Sequence, residues 1–230
     1  TLVVPPWNFP VAIPFGGVFA ALAAGSAAVL KPAPQTPRCA RTAAHAVRAA
    51  LEAAGAPPDL FSVVQVEEDD VGRHLVTHPG FGRVVLTGAL DTAALFLGWR
   101  PDLPLIAETS GKNAIVVTAA ADLDLAVADV VRSAFGHAGQ KCSAASLLIL
   151  VGGLGASPVL RGKLVDAVTS LRVGPPDDPG STVGPVIEPP RGKLLRALTT
   201  LDTGESWLVE PVSLDDGGAG AAWRGRLWRP

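Results

Sequence analysis

Short apolar runs alternate with longer alanine-rich or amphipathic segments through the first part of the chain. The short runs predict buried strands at residues 2–4, 27–30, 61–66, 83–86 and 103–107. The segments between them predict helices at residues 11–24, 37–54, 71–77 and 91–98. Thr36-Pro37 and Asp91 supply two helix starts. Such an alternation is typical of a doubly wound parallel sheet, so we expect an α/β fold.

The alternation continues beyond residue 110 and predicts a second α/β region. Its predicted strands lie at 114–117 and 147–151, and its predicted helices at about 122–134, 158–171 and 191–201. Asp122 or Asp124 can cap the first of these helices. Residues 174–184, with their prolines and acids, predict a surface loop. From Gly217 onward glycine and alanine dominate, and the pattern predicts no element.

Composition excludes several classes of function. With 230 residues and a net charge of −2, the chain offers no basic surface for nucleic acid or an anionic membrane. Its apolar runs are too short for a transmembrane segment, and no secretory signal is visible. The dissimilar surroundings of Cys39 and Cys142 indicate a reducing compartment, so we expect a cytoplasmic protein. The chain lacks methionine and opens on an apolar strand, so we expect an internal fragment of a longer polypeptide.

A glycine-containing connection at residues 135–144 carries one of the two cysteines. Cys142 lies there between Lys141 and Ser143, whereas Cys39 lies in an alanine-rich helical pattern. A thiolate is the reactive form of cysteine, and a nearby cation lowers the pKa of a thiol. Cys142 is therefore a candidate nucleophile. The alternative is a buried, small apolar residue, which is the common fate of a free cysteine. His137 is interpreted as structural.

Polar residues follow several of the predicted strands. Asn8, Lys31, Thr87-Gly88 and Glu108 each stand at or just beyond the end of an apolar run. Ligands bind at the carboxyl ends of the strands in doubly wound sheets. The alternatives are a turn asparagine, a solvated lysine and a surface carboxylate. No GxGxxG motif occurs, so the chain carries no Rossmann fingerprint.

Five motifs, in order and in register, make the chain resemble the aldehyde dehydrogenase superfamily. They are Pro6-Trp7-Asn8-Phe9-Pro10, Leu30-Lys31-Pro32-Ala33, Leu86-Thr87-Gly88, Glu108-Thr109-Ser110-Gly111-Lys112-Asn113 and Gly139-Gln140-Lys141-Cys142-Ser143-Ala144. Within that superfamily the chain is most similar to the Δ1-pyrroline-5-carboxylate (glutamate semialdehyde) dehydrogenases. These occur as separate enzymes or as the C-terminal half of a bifunctional proline-utilisation flavoenzyme.

The resemblance implies oxidation of an aldehyde, L-glutamate γ-semialdehyde, to a carboxylate. Cys142 would attack the aldehyde carbon, and the resulting thiohemiacetal would become a thioester. Glu108 resembles the general base that activates the hydrolytic water, a role that an apolar, pKa-raising site favours. Asn8 resembles the donor to the oxyanion. Ser143 resembles the residue that helps to bind the substrate carboxylate.

The resemblance also implies an NAD cofactor, with NADP as an alternative. Lys31 would bind the adenosine ribose, and Trp7 would line the cleft beside the nicotinamide. Val4, Thr87 and Gly88 complete the expected cofactor-binding residues. No metal site is expected.

Three positions depart from the family pattern. Pro34 stands where an acidic residue normally binds the ribose hydroxyls, which weakens any expected preference for NAD over NADP. Ala89 stands where a serine is usual, and Ser110 replaces a glycine. The family's nicotinamide-ribose and carboxylate-binding segments have no counterpart in this chain.

By resemblance, residues 1–110 form an NAD(P)-binding region and residues 111–230 a truncated catalytic region. We expect a small-molecule aldehyde as substrate, a homo-oligomeric full-length protein and possible fusion to an upstream proline dehydrogenase domain that binds FAD. One alternative is a truncated, non-catalytic copy, and another is a CoA-acylating aldehyde dehydrogenase. The isolated chain is expected to be inactive, with apolar sheet edges at residues 2–4 and 147–151.

Overall fold

A computed structural model of the chain describes residues 1–67, 69–214 and 221–230. These residues form two compact units, Thr1–Ser110 and Gly111–Pro230.

The first unit is a five-stranded sheet with four helices. The strands are β1 (Leu2–Val4), β2 (Ala28–Leu30), β3 (Phe61–Val63), β4 (Val84–Gly88) and β5 (Leu105–Thr109). The helices are α1 (Ala12–Ala23), α2 (Pro37–Ala53), α3 (Asp70–Thr77) and α4 (Leu90–Trp99). All the strands are parallel, in the order β3-β2-β1-β4-β5. The predicted doubly wound α/β fold is confirmed.

Side chains alternate between the two faces of this sheet. Val3 joins an apolar cluster with residues of α1 and α2, including Phe15. Its neighbours Leu2 and Val4 join a different cluster with residues of α3 and α4, including Phe96. Because successive side chains of a strand point to opposite faces, a strand covered on both faces must be apolar throughout. This explains why β1 reads as an unbroken apolar run.

Glycine ends the first two helices. Gly25 follows α1 with a φ of 76°, and Gly55 follows α2 with a φ of 71°. At the first of these ends, the N–H of Ser26 donates to the carbonyl of Ala21 at 3.0 Å. This is the arrangement in which a left-handed residue lets the chain bond back to the last helical turn. The glycines therefore end α1 and α2 and let the chain turn toward β2 and β3.

The second unit contains the remaining elements. Its strands are β6 (Asn113–Val117), β7 (Ala145–Leu150), β8 (Val212–Ser213) and β9 (Trp228–Arg229), and its helices are α5 (Leu123–Phe135), α6 (Pro158–Thr169) and α7 (Gly192–Thr199). Strands β6 and β7 pair in parallel, and β8 pairs with β9 antiparallel. Buried residues of α5 and α6 pack together against partly buried residues of β6 and β7. Lys163 of α6 donates a hydrogen bond to the carboxylate of Asp124 of α5, and this bond raises the pKa of the lysine.

Several predicted boundaries are wrong by a few residues. Asp91 does not cap α4, because Ala89 occupies the cap position and Asp91 lies in the first turn. Asp122 is the cap of α5, and its carboxylate accepts hydrogen bonds from two backbone N–H groups. Thr36 occupies the cap of α2 without a side-chain hydrogen bond. Glu108 lies within its strand rather than after it.

Two further expectations are corrected. Residues 2–4 are not a sheet edge, because β1 is the central strand and pairs with both β2 and β4. The C-terminus does carry an element, since β9 pairs with β8. Residues 217–220, part of the segment predicted to lack structure, lie outside the described residues. None of the helices described here has the length and apolar character needed to cross a membrane.

Adjacent glycines in α1 provide a test of helix–sheet packing. A Cβ added at Gly17 would lie 2.9 Å from Cγ1 of the buried Val3, whereas a Cβ at Gly16 meets nothing within 4 Å. Gly17→Ala should lower the free energy of unfolding by about 1–3 kcal/mol through overpacking. Gly16→Ala should raise it by about 0.5–1 kcal/mol through helix propensity. Urea unfolding measures both, and equal stabilities of the two variants would contradict this packing.

Candidate functional site

Lys31 is the buried charged residue at the carboxyl end of β2. Its backbone N–H donates to the carbonyl of Val3 at 2.9 Å, which fixes it beside β1. The residue is only 6% exposed, and its ammonium group forms no hydrogen bond with a described residue. An ammonium at the carboxyl end of a parallel strand is suited to an acceptor group of a ligand. Pro34, three residues later, is exposed and supplies no carboxylate.

Thr87 and Gly88 end β4 beside the last residues of β5. Thr87 lies opposite Glu108, and Gly88 lies opposite Thr109. Helix α4 begins directly afterward, and the N–H of its first residue donates to Oγ of Ser110 at 3.3 Å. Three of the predicted site residues therefore lie at the same end of neighbouring parallel strands.

The remaining predicted residues of this unit lie on and after β1 and on β5. Val4 is buried at the end of β1. Trp7 and Asn8 follow it in an irregular segment and are half-buried. Glu108 lies on β5, one of the two edge strands, and is exposed. The first unit therefore does not supply the apolar pocket that was expected around this carboxylate.

The second unit presents Cys142 on a tight turn before β7. The N–H of Ala144 donates to the carbonyl of Lys141 at 3.0 Å, so Cys142 and Ser143 are the two central residues of a β-turn. Both are exposed. The alternative of a buried Cys142 is wrong. Cys39 is also free and exposed, on α2.

Three consecutive residues before this turn have left-handed backbone conformation. The φ angles are 60° at His137, 54° at Ala138 and 69° at Gly139. Glycine is required at the third position, since an added Cβ would lie 3.0 Å from the carbonyl oxygen of Ala134. The first two positions carry the steric cost of a Cβ in this conformation, about 1–2 kcal/mol each.

Two side-chain amides that sequence reasoning missed hold the turn. Gln140 donates to the carbonyl of Pro185 at 3.2 Å and accepts from the N–H of Ile187 at 2.8 Å. Asn113 donates to the carbonyls at both ends of the segment 142–144. Their partners are distant in sequence, and the only available signal was their presence inside the recognised motifs. Among the described residues, no three His, Cys, Asp or Glu side chains converge on a possible metal site.

Comparison with known proteins places this geometry in a family. The model of the aldehyde dehydrogenase family matches residues 1–209. The chain belongs to the aldehyde dehydrogenase family. The expected resemblance to its Δ1-pyrroline-5-carboxylate branch is confirmed by the relatives that follow.

Curated relatives and solved structures agree on this branch. The chain is 37% identical over 195 residues to 1-pyrroline-5-carboxylate dehydrogenase of Geobacillus thermodenitrificans, covering 81% of this chain and 37% of that protein. It is 38% identical over 195 residues to the bifunctional protein PutA of Escherichia coli, covering 80% and 14%. The structure of Proline Utilization A from Corynebacterium freiburgense superposes with a TM-score of 0.88 at 54% identity, covering 100% of this chain and 22% of that one. The chain thus spans well under half the length of these relatives.

The left-handed segment generates a stability prediction. Ala138→Gly should raise the free energy of unfolding by up to about 1 kcal/mol, because glycine adopts positive φ without a Cβ clash. As a control, Ala126→Gly within α5 should lower the free energy of unfolding by about 1 kcal/mol. The measurement is urea unfolding of both variants. Equal destabilisation by the two substitutions would mean that Ala138 is not left-handed.

Proposed function

We propose that the full-length protein carrying this chain oxidises L-glutamate γ-semialdehyde to L-glutamate in proline catabolism, with NAD or NADP as hydride acceptor. The observation that carries the proposal is an exposed Cys142 at the centre of a β-turn, in a chain of the aldehyde dehydrogenase family. Support for the substrate comes from relatives named 1-pyrroline-5-carboxylate dehydrogenase and PutA.

Cys142 acts as the nucleophile in this proposal. Its thiolate forms a bond to the aldehyde carbon, and the carbonyl π electrons move to oxygen, giving a thiohemiacetal. Loss of the hydride from that carbon leaves a thioester on Sγ. Water then adds to the thioester, and the carboxylate product leaves as the C–S bond breaks and the thiolate is restored. Exposure of the thiol on a turn supports access by a small aldehyde.

Three other residues have assigned roles. Glu108 accepts the proton of the hydrolytic water. Asn8 donates its amide N–H to the developing oxyanion, a type of contact worth roughly 3–4 kcal/mol in other enzymes. Ser143, beside Cys142 in the turn, binds the carboxylate of the semialdehyde.

The residues of the first unit fit a dinucleotide. The ammonium of Lys31 would meet an acceptor on the adenosine ribose, and Trp7 would lie along the nicotinamide half. Val4, Thr87 and Gly88 would line the strand ends beneath it. When bound, NAD(P) supplies hydride acceptance, and the protein's groups supply binding and orientation.

The assembly and the localisation of the full-length protein are also proposed from its relatives. We propose a cytoplasmic homo-oligomer with a possible upstream proline dehydrogenase domain that binds FAD, as the relationship to PutA suggests. Residues 1–230 alone should not oxidise the aldehyde, because hydride transfer requires close positioning of the nicotinamide. A second candidate is a non-catalytic copy, favoured by the absence of a carboxylate at Pro34 and by the exposure of Glu108.

Substitution of Glu108 separates the two chemical stages. In the full-length protein, Glu108→Gln should leave the first turnover of NADH formation nearly unchanged and lower the steady-state rate by roughly 10²–10⁴-fold. Stopped-flow absorbance of NADH measures both stages. Cys142→Ser should abolish both stages, and Cys39→Ser should change neither. A steady-state rate of Glu108→Gln equal to that of the wild type would instead favour a CoA-acylating enzyme, which needs no water base.

Pro34 tests the choice of dinucleotide. Pro34→Glu should raise the ratio of kcat/KM for NAD to that for NADP by about tenfold, equivalent to roughly 1.4 kcal/mol, because a carboxylate repels the 2′-phosphate. Pro34→Gln is the matched control, since it makes the same backbone change without charge. Equal ratios in the two variants would show that the 2′-phosphate is read elsewhere.

A further inference from the structure

The side-chain amide of Asn113 bonds two carbonyls of the turn that carries Cys142. Asn113 is the first residue of β6, and its Nδ2 donates to the carbonyl oxygen of Cys142 at 2.5 Å and to that of Ala144 at 3.0 Å. A side-chain amide has two N–H donors, so both are used on this turn. Both bonds can form together only if the two carbonyls face the same side.

An irregularity of strand pairing accompanies this contact. Asn113 lies opposite Ala145, but the next residue of β6 lies opposite Leu147, so the register shifts by one residue at Asn113. Such irregularities redirect a side chain and are frequent beside active sites. Gly111 adds a close approach from the preceding segment, since a Cβ there would lie 3.4 Å from Asn113 Oδ1 and 3.6 Å from the Cys142 carbonyl oxygen.

The bond to Cys142 restrains the one peptide of the turn that can rotate readily. In a β-turn, the peptide between the two central residues can adopt two orientations, which differ by about 150° in ψ of the first central residue. Here that peptide joins Cys142 to Ser143. The alternative orientation requires positive φ at Ser143, and Ser143 is not among the described residues with positive φ. Rotation would also carry the Cys142 carbonyl away from Asn113.

We propose that Asn113 is a positioning residue for the nucleophile. By holding the Cys142 carbonyl, it selects the turn orientation that presents the thiol to the aldehyde. This inference rests on the proposed role of Cys142. Since Asn113 touches neither the reacting atoms nor the substrate in this scheme, its loss should act on kcat rather than on substrate binding.

Two substitutions in the full-length protein test the proposal. Asn113→Asp keeps the shape of the side chain, but its ionised carboxylate faces two carbonyl oxygens without a proton to donate. Asn113→Ala removes the group. Both should lower kcat by about 10–100-fold with KM changed less than threefold. A protonated aspartic acid regains one donor, so the ratio of Asn113→Asp to wild-type kcat should rise as pH falls, whereas the ratio for Asn113→Ala should stay constant.

Hydrogen–deuterium exchange separates this proposal from the proposed function, because it needs no substrate. Both variants should exchange faster at residues 141–145, while α1 stays unchanged. If the wild-type protein oxidises no aldehyde, the proposed function fails, but faster exchange at the turn still supports the restraint by Asn113. Unchanged exchange in both variants overturns the proposal. So does a kcat within twofold of wild type at every pH.

Discussion

Burial of β1 on both faces is the constraint on which the first unit depends. The strand has only three residues, yet it pairs with β2 on one side and β4 on the other. Val3 packs toward α1 and α2, and Leu2 and Val4 pack toward α3 and α4. A three-residue strand buries little apolar area, so the helices must approach it closely. Gly17 permits this approach of α1 to Val3 on one face of the sheet.

This sheet determines where the candidate cofactor residues lie. Parallel strands bring their carboxyl ends to one edge, and the residues at or after those ends are the ones that the family resemblance selects. Lys31 lies there because its backbone N–H is bonded to Val3, and the residue is only 6% exposed. The same architecture leaves Glu108 on an outer strand, where it is exposed.

A different constraint governs the nucleophile. The segment before it combines three left-handed residues with a β-turn, which is an arrangement that backbone preference alone does not favour. Two amide side chains compensate by bonding the turn on two sides. Asn113, about 30 residues earlier, holds its carbonyls, and Gln140, directly before the turn, bonds Pro185 and Ile187. The reactivity of Cys142 therefore depends on how the turn orients its thiol as well as on the chemistry of the thiolate.

Sequence reasoning succeeded where structure follows from local pattern. The apolar runs predicted all five strands of the first sheet, and Asp122 was one of the two caps predicted for α5. It failed where partners decide the outcome. Pairing with β4 extends β5 through Glu108, beyond its apolar run, and β1 proved central because its neighbours come from later in the chain. The hydrogen bonds of Asn113 join residues about 30 positions apart, which no local pattern reveals.

The central claim, that Cys142 forms a covalent bond to the aldehyde carbon, is most directly tested by trapping the intermediate. The full-length Glu108→Gln protein would be mixed with NAD and glutamate semialdehyde, quenched in acid and digested for peptide mass spectrometry. The account predicts a glutamyl mass increment on the peptide that contains Cys142, and none on the peptide that contains Cys39. Formation of NADH without any adduct on Cys142, or with the adduct on Cys39, would contradict it.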